Sequence, residues 1–435
     1  MRVLHVVQRY WPYTGGSERH LQAISERLVR DGHQVAVWTT DAWDLELFWD
    51  RRRRRVPGPV DEHNGVRIRR FPVRHLPGGP LAYPIVRRLL VELARLPVVP
   101  ERLLVALSRQ APRLPEFHRA LRAVQEVDLI AAMNICFEGL GWSALRAARR
   151  LGVPFVYYPL THLGEPERAT VRRYYTMRHQ LALLRACDAV LAQTEGERTF
   201  LVERGVTPER IVLAGPGVDP APAARADAAR FRAATGLEGP IVTFLGTAAY
   251  DKGAIHLIEA MRRLWAEGRE VALVLAGPRL AHVDAYLARL SPAERRRCHC
   301  LGFIPEEQKW DLLAATTVLA LPSRTDSFGI VFLEAWLLEK PVIGARAGGI
   351  PDVVADGQTG LLVRFGDVGG LAAALRRLLE DPVLARALGA AGRARVVQHF
   401  RWPVIARRVA AVYAGLLAGT PAVLPQGAMV SREDR

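Results

Sequence analysis

The chain has 435 residues, half of them hydrophobic, with a formal net charge of +16 and a pI near 10.4. That length predicts more than one domain, most simply two, and no uninterrupted apolar run reaches the length of a membrane span. The cations are nearly all Arg, with Lys only at Lys252, Lys309 and Lys340. Such a balance suits a phosphorylated substrate or an anionic membrane, or reflects Arg spread over a surface with no partner. No recognition motif or aromatic-interleaved basic platform supports nucleic acid.

The first strand is MRVLHVV, and no signal peptide is expected ahead of it. The loop QRYWPYTGG follows, and Ser17 is placed to cap a helix running to about Arg30. Asp31-Gly32 ends that helix and QVAVWTT is the second strand, a βαβ opening with Gly15 and Gly16 at its first turn. Two glycines do not make a dinucleotide fingerprint. Residues 41–75 are polar and basic, including Arg51 to Arg55, and read as a solvated loop before an alternating strand, Val66 to Phe71. Residues 76–121 are punctuated by Pro. There VRRLLVELARL has helical periodicity, with Ile85, Leu89, Leu90 and Leu93 on one side. Two readings stay open for it, a core-facing helix or one resting on a membrane interface.

VDLIAAM, PFVYY and CDAVLAQT read as further strands separated by helices. His162 stands just after PFVYY, at the carboxyl end of a parallel strand, where sites are built. Gln193, Thr194 and Glu195 hold the same position after CDAVLAQT and could meet an acceptor. RIVLAGPGVDPAPAARAD is rich in Gly and Pro and reads as an interdomain linker. The pattern then restarts with the strand PIVTFLG, the loop TAAYDKG and a helix from Ala254. VALVLAGP and CHCLGFIP are the next strands. Cys298 and Cys300 are two apart in a strand and share a face. With Cys136 and Cys187 they form no Cys-x-x-Cys unit, and reduced core thiols are expected, consistent with the cytoplasm.

Residues 319–362 concentrate the chemistry. An apolar strand breaks at Pro322 and Ser323 into a polar loop. Asp326, Ser327 and Gly329 open a helix that carries Glu334. A strand at Pro341 to Gly344, a Gly348-Gly349 loop and a helix start at Pro351 follow. The free N–H groups and positive end of the helix near Gly329 suit a phosphate. Carboxylates beside a phosphate repel it, so Asp326 and Glu334 are better suited to hydroxyl groups. Hydroxyl-rich ligands that carry phosphate are nucleotides and sugars.

This stretch resembles the signature of the family 4 retaining glycosyltransferases of the GT-B fold. The resemblance rests on Asp326, Phe328, Gly329 and Glu334; on Pro341, Val342 and Ile343; on Gly348, Gly349 and Pro351; and on Asp356, Gly357, Thr359 and Gly360. Gly246, Lys252 and Gly253 match the family's Gly-Arg-x-x-x-x-Lys-Gly loop, with Thr247 in place of the Arg. A Thr hydroxyl supplies a hydrogen bond but no charge, and Arg279 and Arg346 are candidates to replace it. Asp326 stands where the family has Glu. Phe400 and Trp402 match the start of the family's last helix.

The resemblance implies an α/β chain with two Rossmann-like domains facing each other across a cleft. It places an acceptor-binding domain at 1–214 and a nucleotide-sugar-binding domain at 215–399. A helix at 400–419 returns to the first domain, and 420–435 form a loose tail. The implied reaction is retaining, metal-independent transfer of a sugar from a nucleoside-diphosphate sugar to a glycan or lipid-linked acceptor. No cofactor is expected beyond that co-substrate, and no Asp-x-Asp triplet is present to hold a metal. By resemblance Gly15 and Gly16 meet donor phosphate or acceptor, and Gly302 to Ile304 meet the base. Lys252 with the N–H groups of Gly329, Ile330 and Val331 holds the diphosphate. Glu334 holds the ribose, Asp326 the donor sugar, and His162 contacts the sugar near the reacting carbon. The protein is expected in the cytoplasm, with an anionic membrane surface as a further partner. Two alternatives stay open: a non-catalytic member serving as a membrane or partner-binding module, and a nucleotide-sugar epimerase.

Overall fold

A computed structural model describes residues 1–13, 15–168 and 170–420. The expected tail lies outside these residues except for Thr420. Chain contacts divide the protein into two units. The first comprises Met1–Thr161, Arg172–Gly215 and the chain from Pro403 onward; the second comprises His162–Val171 and Pro216–Trp402.

The first unit is built on eight strands. In chain order they are β1 (Arg2–Val6), β2 (Gln34–Thr40), β3 (Val60–His63), β4 (Val66–Phe71), β5 (Leu129–Met133), β6 (Phe155–Tyr158), β7 (Ala189–Ala192) and β8 (Ile211–Leu213). They lie in the order β3-β4-β2-β1-β5-β6-β7-β8, all parallel except β3, which pairs antiparallel with β4. β5, β6 and β7 are buried along their whole length, as a parallel sheet covered on both faces requires. Helices of this unit include α1 (Gly16–Arg30), α2 (Ala82–Ala94), α3 (Glu101–Ser108), α4 (Pro115–Ala123) and α5 (Glu138–Leu151).

Two local expectations need correction. α1 already begins at Gly16, so Ser17 lies inside it and Gly15 is the cap, with no side-chain hydrogen bond. The Gly/Pro-rich segment after Arg210 is no plain linker, because its first residues form β8 at the sheet edge. α2 buries Leu90, Val91 and Ala94 against Leu104 and Met177, and it leaves Ile85 and Leu89 exposed. The run Arg51 to Arg55 is exposed, as a solvated segment would be, and four of its members are paired: Arg52 and Arg53 with Asp50, Arg54 with Asp44 and Arg55 with Asp41.

The helix Trp402–Leu417 supplies the last element of this unit. Its Tyr413 is fully buried, 2.9 Å from the Tyr158 hydroxyl and 3.2 Å from His5 Nε2. His5 Nδ1 meets Ser25 at 2.8 Å. Burial pushes His5 down to about 3, so this network is neutral at physiological pH.

The second unit has six parallel strands: β9 (Ile241–Leu245), β10 (Ala272–Ala276), β11 (Cys298–Gly302), β12 (Val318–Leu321), β13 (Val342–Ala345) and β14 (Leu361–Val363). Their order is β11-β10-β9-β12-β13-β14. One continuous apolar core runs through this unit, with Trp336, Phe244, Phe332 and Phe231 among its largest fully buried side chains. The Trp336 indole N–H reaches the Thr359 carbonyl at 2.9 Å. All four cysteines are free. Cys187 and Cys298 are buried, but Cys300 is exposed rather than part of a core.

Candidate active site

In the second sheet the chain starts at β9, moves outward through β10 and β11, then crosses to the other side of β9 as β12, β13 and β14. The strand order therefore reverses between β9 and β12, and in open parallel sheets ligands bind outside the carboxyl ends of the strands at such a point. Three loops meet there. The loop after β9 carries Thr247 to Gly253, the loop after β12 carries Pro322 to Gly329, and the loop after β13 carries Gly348 and Gly349.

Two glycines set how closely these loops approach. Gly253 has φ +80°, and a Cβ there would run into the Pro322 carbonyl oxygen. Gly348 has φ +62°, and its Cβ would run into the Asp326 carbonyl oxygen. Any larger residue at either place needs both a left-handed backbone and a displaced neighbouring loop. The Gly349 N–H donates to the Asp326 carbonyl at 3.0 Å, and the Gly348 N–H to Gly164 at 2.8 Å.

The loops bring Lys252 and Asp326 together, Nζ to Oδ2 3.0 Å. Burial alone would raise the Asp326 carboxyl, but the Lys252 charge, a hydrogen bond from Ser323 and further contributions from Lys252 and His162 outweigh it and hold the group below its ordinary range. His162 belongs to this unit and hydrogen-bonds the Thr325 backbone. Burial, reinforced by the Lys252 charge, lowers it to about 4 although Asp326 opposes the shift. The cluster at neutral pH is therefore a cation, an anion and a neutral imidazole in one place.

Gly329 caps the helix Ile330–Leu337 with φ +87°, and that helix has no acid in its first turn. Its start at Ile330 lies beyond Asp326, which stays in the loop instead of opening the helix. Phe328 is buried edge-to-face against Phe400, ring centroids 5.5 Å apart. Glu334 is buried within the helix, and Lys309 Nζ lies 2.6 Å from its Oε1. Lys309 also pairs with Glu306. Gly246 directly follows β9 with φ +137°. Thr247 adjoins Ala248, which forms a parallel bridge with Arg279. Gly302 ends β11 and accepts the Gly277 N–H at 2.7 Å, while Ile304 packs on the core and Phe303 between them is 76% exposed. Gly15 and Gly16 lie in the first unit, at the start of α1 after β1. In that unit Gln193 is buried and Thr194 caps the following helix by accepting the Glu197 N–H.

Residues 226–395 match the family described as glycosyl transferases group 1, and residues 15–217 match the glycosyl transferase 4-like domain. The chain belongs to the group 1 glycosyltransferases. It is 33% identical over 247 residues to alpha-maltose-1-phosphate synthase of Mycolicibacterium smegmatis, covering 52% of this chain and 63% of that protein, a little under two thirds of its length. Against MMP alpha-(1->4)-mannosyltransferase of Mycolicibacterium hassiacum the identity is 27%, over 96% of this chain and 99% of the relative. The structure of sucrose-phosphate synthase from Thermosynechococcus elongatus superposes with a TM-score of 0.72 at 24% identity, covering 97% of this chain and all of that one. Together these give the group 1 chain its GT-B architecture, two parallel-sheet domains.

Neither arginine expected to replace the one missing at Thr247 is unengaged. Arg279 holds Asp284 at 2.7 Å and Arg346 holds Asp356 at 2.5 Å. The guanidinium built into the loop cluster is Arg324, which sequence reasoning misses. It donates to Asp251 at 2.7 and 2.9 Å and to Glu165 at 2.9 Å, and it lies over the Phe365 ring at 4.7 Å. Its one signal is its place two residues before Asp326. Lys309, the partner of Glu334, has a signal too, as one of three lysines in an Arg-dominated chain. Among the described residues no group of three or more His, Cys, Asp or Glu side chains is arranged to hold a metal ion.

Proposed function

We propose that this protein is a retaining, metal-independent hexosyltransferase that moves a sugar from a nucleoside-diphosphate sugar to a glycan or lipid-linked acceptor. One observation carries the reading: the strand-order reversal of the second sheet gathers Lys252, Asp326, His162 and an acid-free helix start at Gly329. Glycosyl transfer builds negative charge on the departing diphosphate. Lys252 and the N–H groups of Gly329, Ile330 and Val331 supply preorganised positive charge for it, with Gly246 and Thr247 beside them. Asp326, kept ionised, accepts from sugar hydroxyls. Glu334 does the same for the ribose, oriented by Lys309. Gly302 and Ile304 border the base. His162 is neutral, so it can meet the sugar near the anomeric carbon without placing a second cation against a developing oxocarbenium ion. Phe328 fixes the loop, and Gly15 and Gly16 contribute from the acceptor domain. The names of the relatives, a maltose-1-phosphate synthase and a mannosyltransferase, support a hexose as the group moved.

The lipid-linked acceptor and an anionic membrane partner are supported by one surface of the first unit. Leu81, Ile85, Leu89, Leu96, Val98 and Leu103 are exposed on and between α2 and α3, beside the exposed Arg88 and Arg102. An apolar surface rimmed by Arg suits the interface of an anionic bilayer. No described helix is long and apolar enough to cross a membrane.

The test is a thermal-shift and transfer assay with UDP-, GDP-, ADP- and TDP-sugars, run with EDTA, beside Lys252→Ala and Glu334→Ala. One nucleotide class is expected to raise the melting temperature of the wild type by mass action, and both variants lose the shift. Transfer abolished by EDTA, or a shift that survives both substitutions, overturns the proposal.

A further inference from the structure

A second concentration of charge lies in the first unit. α3 ends at Arg109, and α4 begins after a short turn. Between them is a cavity of about 430 Å³. Arg109, Arg113, Arg119 and Arg122 line it, with His118 and an apolar wall that includes Leu114. Arg119 and Arg122 are three apart on α4 and so share a side of the helix. Arg146 of α5 is close enough for its charge to act on both Arg109 and His118. His118 is buried, its Nδ1 2.8 Å from Ser143 Oγ.

None of these arginines has a counter-charge in direct contact. Among the described residues, Arg109, Arg113, Arg119, Arg122 and Arg146 form no ion pair and their guanidinium groups no hydrogen bond. Arg109 is partly buried, and its Nε is buried with no partner. The nearby acid, Glu116, is committed to Arg74 at 2.9 Å, although its charge also reaches Arg119. Elsewhere even the run Arg52 to Arg55 is matched to aspartates.

Like charges gathered in a concave site repel one another unless a counter-ion fills it. A carboxylate monoanion would offset one of them. A phosphate group carrying two or more charges offsets more, and its oxygens accept from several guanidinium forks at once. A nucleic-acid strand would need an extended basic track with stacking aromatics, whereas this cavity is short and no Phe, Tyr or Trp lines it. We infer that the Arg109–Arg122 cavity is a binding site for a phosphate group of multiple charge, carried by a free phosphorylated molecule or by a lipid headgroup. The inference is independent of the nucleotide-sugar reading.

The test titrates the full chain with pyrophosphate by calorimetry at constant ionic strength. It compares wild type, Arg109→Ala/Arg122→Ala, Lys252→Ala, and Arg52→Ala/Arg53→Ala as a control of equal charge change. Saturable binding is expected in wild type, in Lys252→Ala and in the control, weakened at least tenfold in Arg109→Ala/Arg122→Ala. Equal affinity in wild type and the Arg109→Ala/Arg122→Ala variant overturns the inference. So does heat that tracks ionic strength alone, or binding abolished by Lys252→Ala and kept by the cavity variant. Co-sedimentation with phosphatidylcholine vesicles containing phosphatidic acid, or phosphatidylglycerol at equal charge, identifies the source. Binding specific to phosphatidic acid and lost in the cavity variant assigns a lipid headgroup. Pyrophosphate binding with no difference between the vesicles assigns a free phosphorylated molecule.

Discussion

β1 and β9 hold the same place in their sheets, each a central strand beside which the strand order reverses. The segments that leave their carboxyl ends place their charges differently. After β1 the first turn of α1 holds a buried carboxylate, Glu18, which accepts from Gln8 at 3.0 Å, Arg9 at 3.2 Å and Ser17 at 2.7 Å. After β9 the loop carries Lys252, and the helix Ala254–Ala266 it enters has no acid in its first turn. Both points offer free N–H groups and a positive helix end. In the first the protein has supplied its own anion. In the second the helix start carries no acid, and the cation Lys252 meets the Asp326 carboxylate from the loop after β12. The topology makes two crevices of the same kind, and they differ in whether a carboxylate sits in the first turn of the helix that follows.

The sharpest way to break this contrast is Lys252→Ala. It is expected to lower kcat by roughly 100- to 1,000-fold, the usual loss when a preorganised charge-stabilising group is removed, in a single-turnover transfer assay with saturating donor. Near-wild-type turnover would mean that the second crevice is not where leaving-group charge is met. Next comes the pair Gly253→Val and Gly15→Val. Gly253→Val drives a side chain into the Pro322 carbonyl at positive φ and is expected to cost about 3 kcal/mol or more in denaturant unfolding. At Gly15 the backbone has φ −73°, and the nearest atoms are the ends of the Glu18 and Tyr13 side chains, which can move. A loss under about half that of Gly253→Val is expected there, and equal losses would remove the distinction between a close-packed backbone and a movable lining. Glu18→Gln should cost about 1–3 kcal/mol, because Arg9 is left buried without its counter-charge, with a proportionate fall in urea midpoint and donor affinity unchanged.

The smallest expected effect is one of pH. Burial holds His5, His20 and His118 of the first unit at about 3. The unfolded chain, with imidazoles near 6.5, binds more protons than the folded one below that pH. Their stabilising contribution is therefore complete above about 6.5 and is lost as pH falls toward 3. Hydrogen exchange at pH 7.5 and 5 should register loss of protection around β1 and α1, and His5→Gln should flatten that dependence. Unchanged protection there would mean that these rings are not held neutral.

The residues that can be found by short spacing were legible in the sequence. Lys252-Gly253, Asp326, Phe328-Gly329 and Glu334 each lie within one loop–helix junction, and the alternation of strands and helices gave both sheets. Their partners were not legible. Lys309 reaches Glu334 from a helix 25 residues away, and Arg324 reaches Glu165 across 159 residues. Such pairs depend on which strands become neighbours, which local periodicity does not encode. The stripe Ile85, Leu89, Leu90 and Leu93 left two readings open, and the structure divides it: Leu90 is buried with Leu93 packed beside it, while Ile85 and Leu89 are exposed. α2 carries apolar residues on more than one side, and packing against Leu104 and Met177 selected Leu90, Val91 and Ala94. The Arg run at 51–55 read as a solvated segment and is one, but its pairing with acids just upstream was not legible, nor was the gathering of Arg109, Arg113, Arg119 and Arg122 around one cavity.

The Tyr413 contact has a consequence for how the protein is made. His5 and Tyr158 emerge early from the ribosome, but the hydroxyl that joins them arrives more than 250 residues after Tyr158. Until then the first unit lacks a buried wall, whereas the second has all its strands by Val363. Domains tend to fold as they emerge, the first before the second; here the first is the later of the two to have all its elements. The first unit is therefore completed by the last helix of the chain, after every strand of the second has been synthesised.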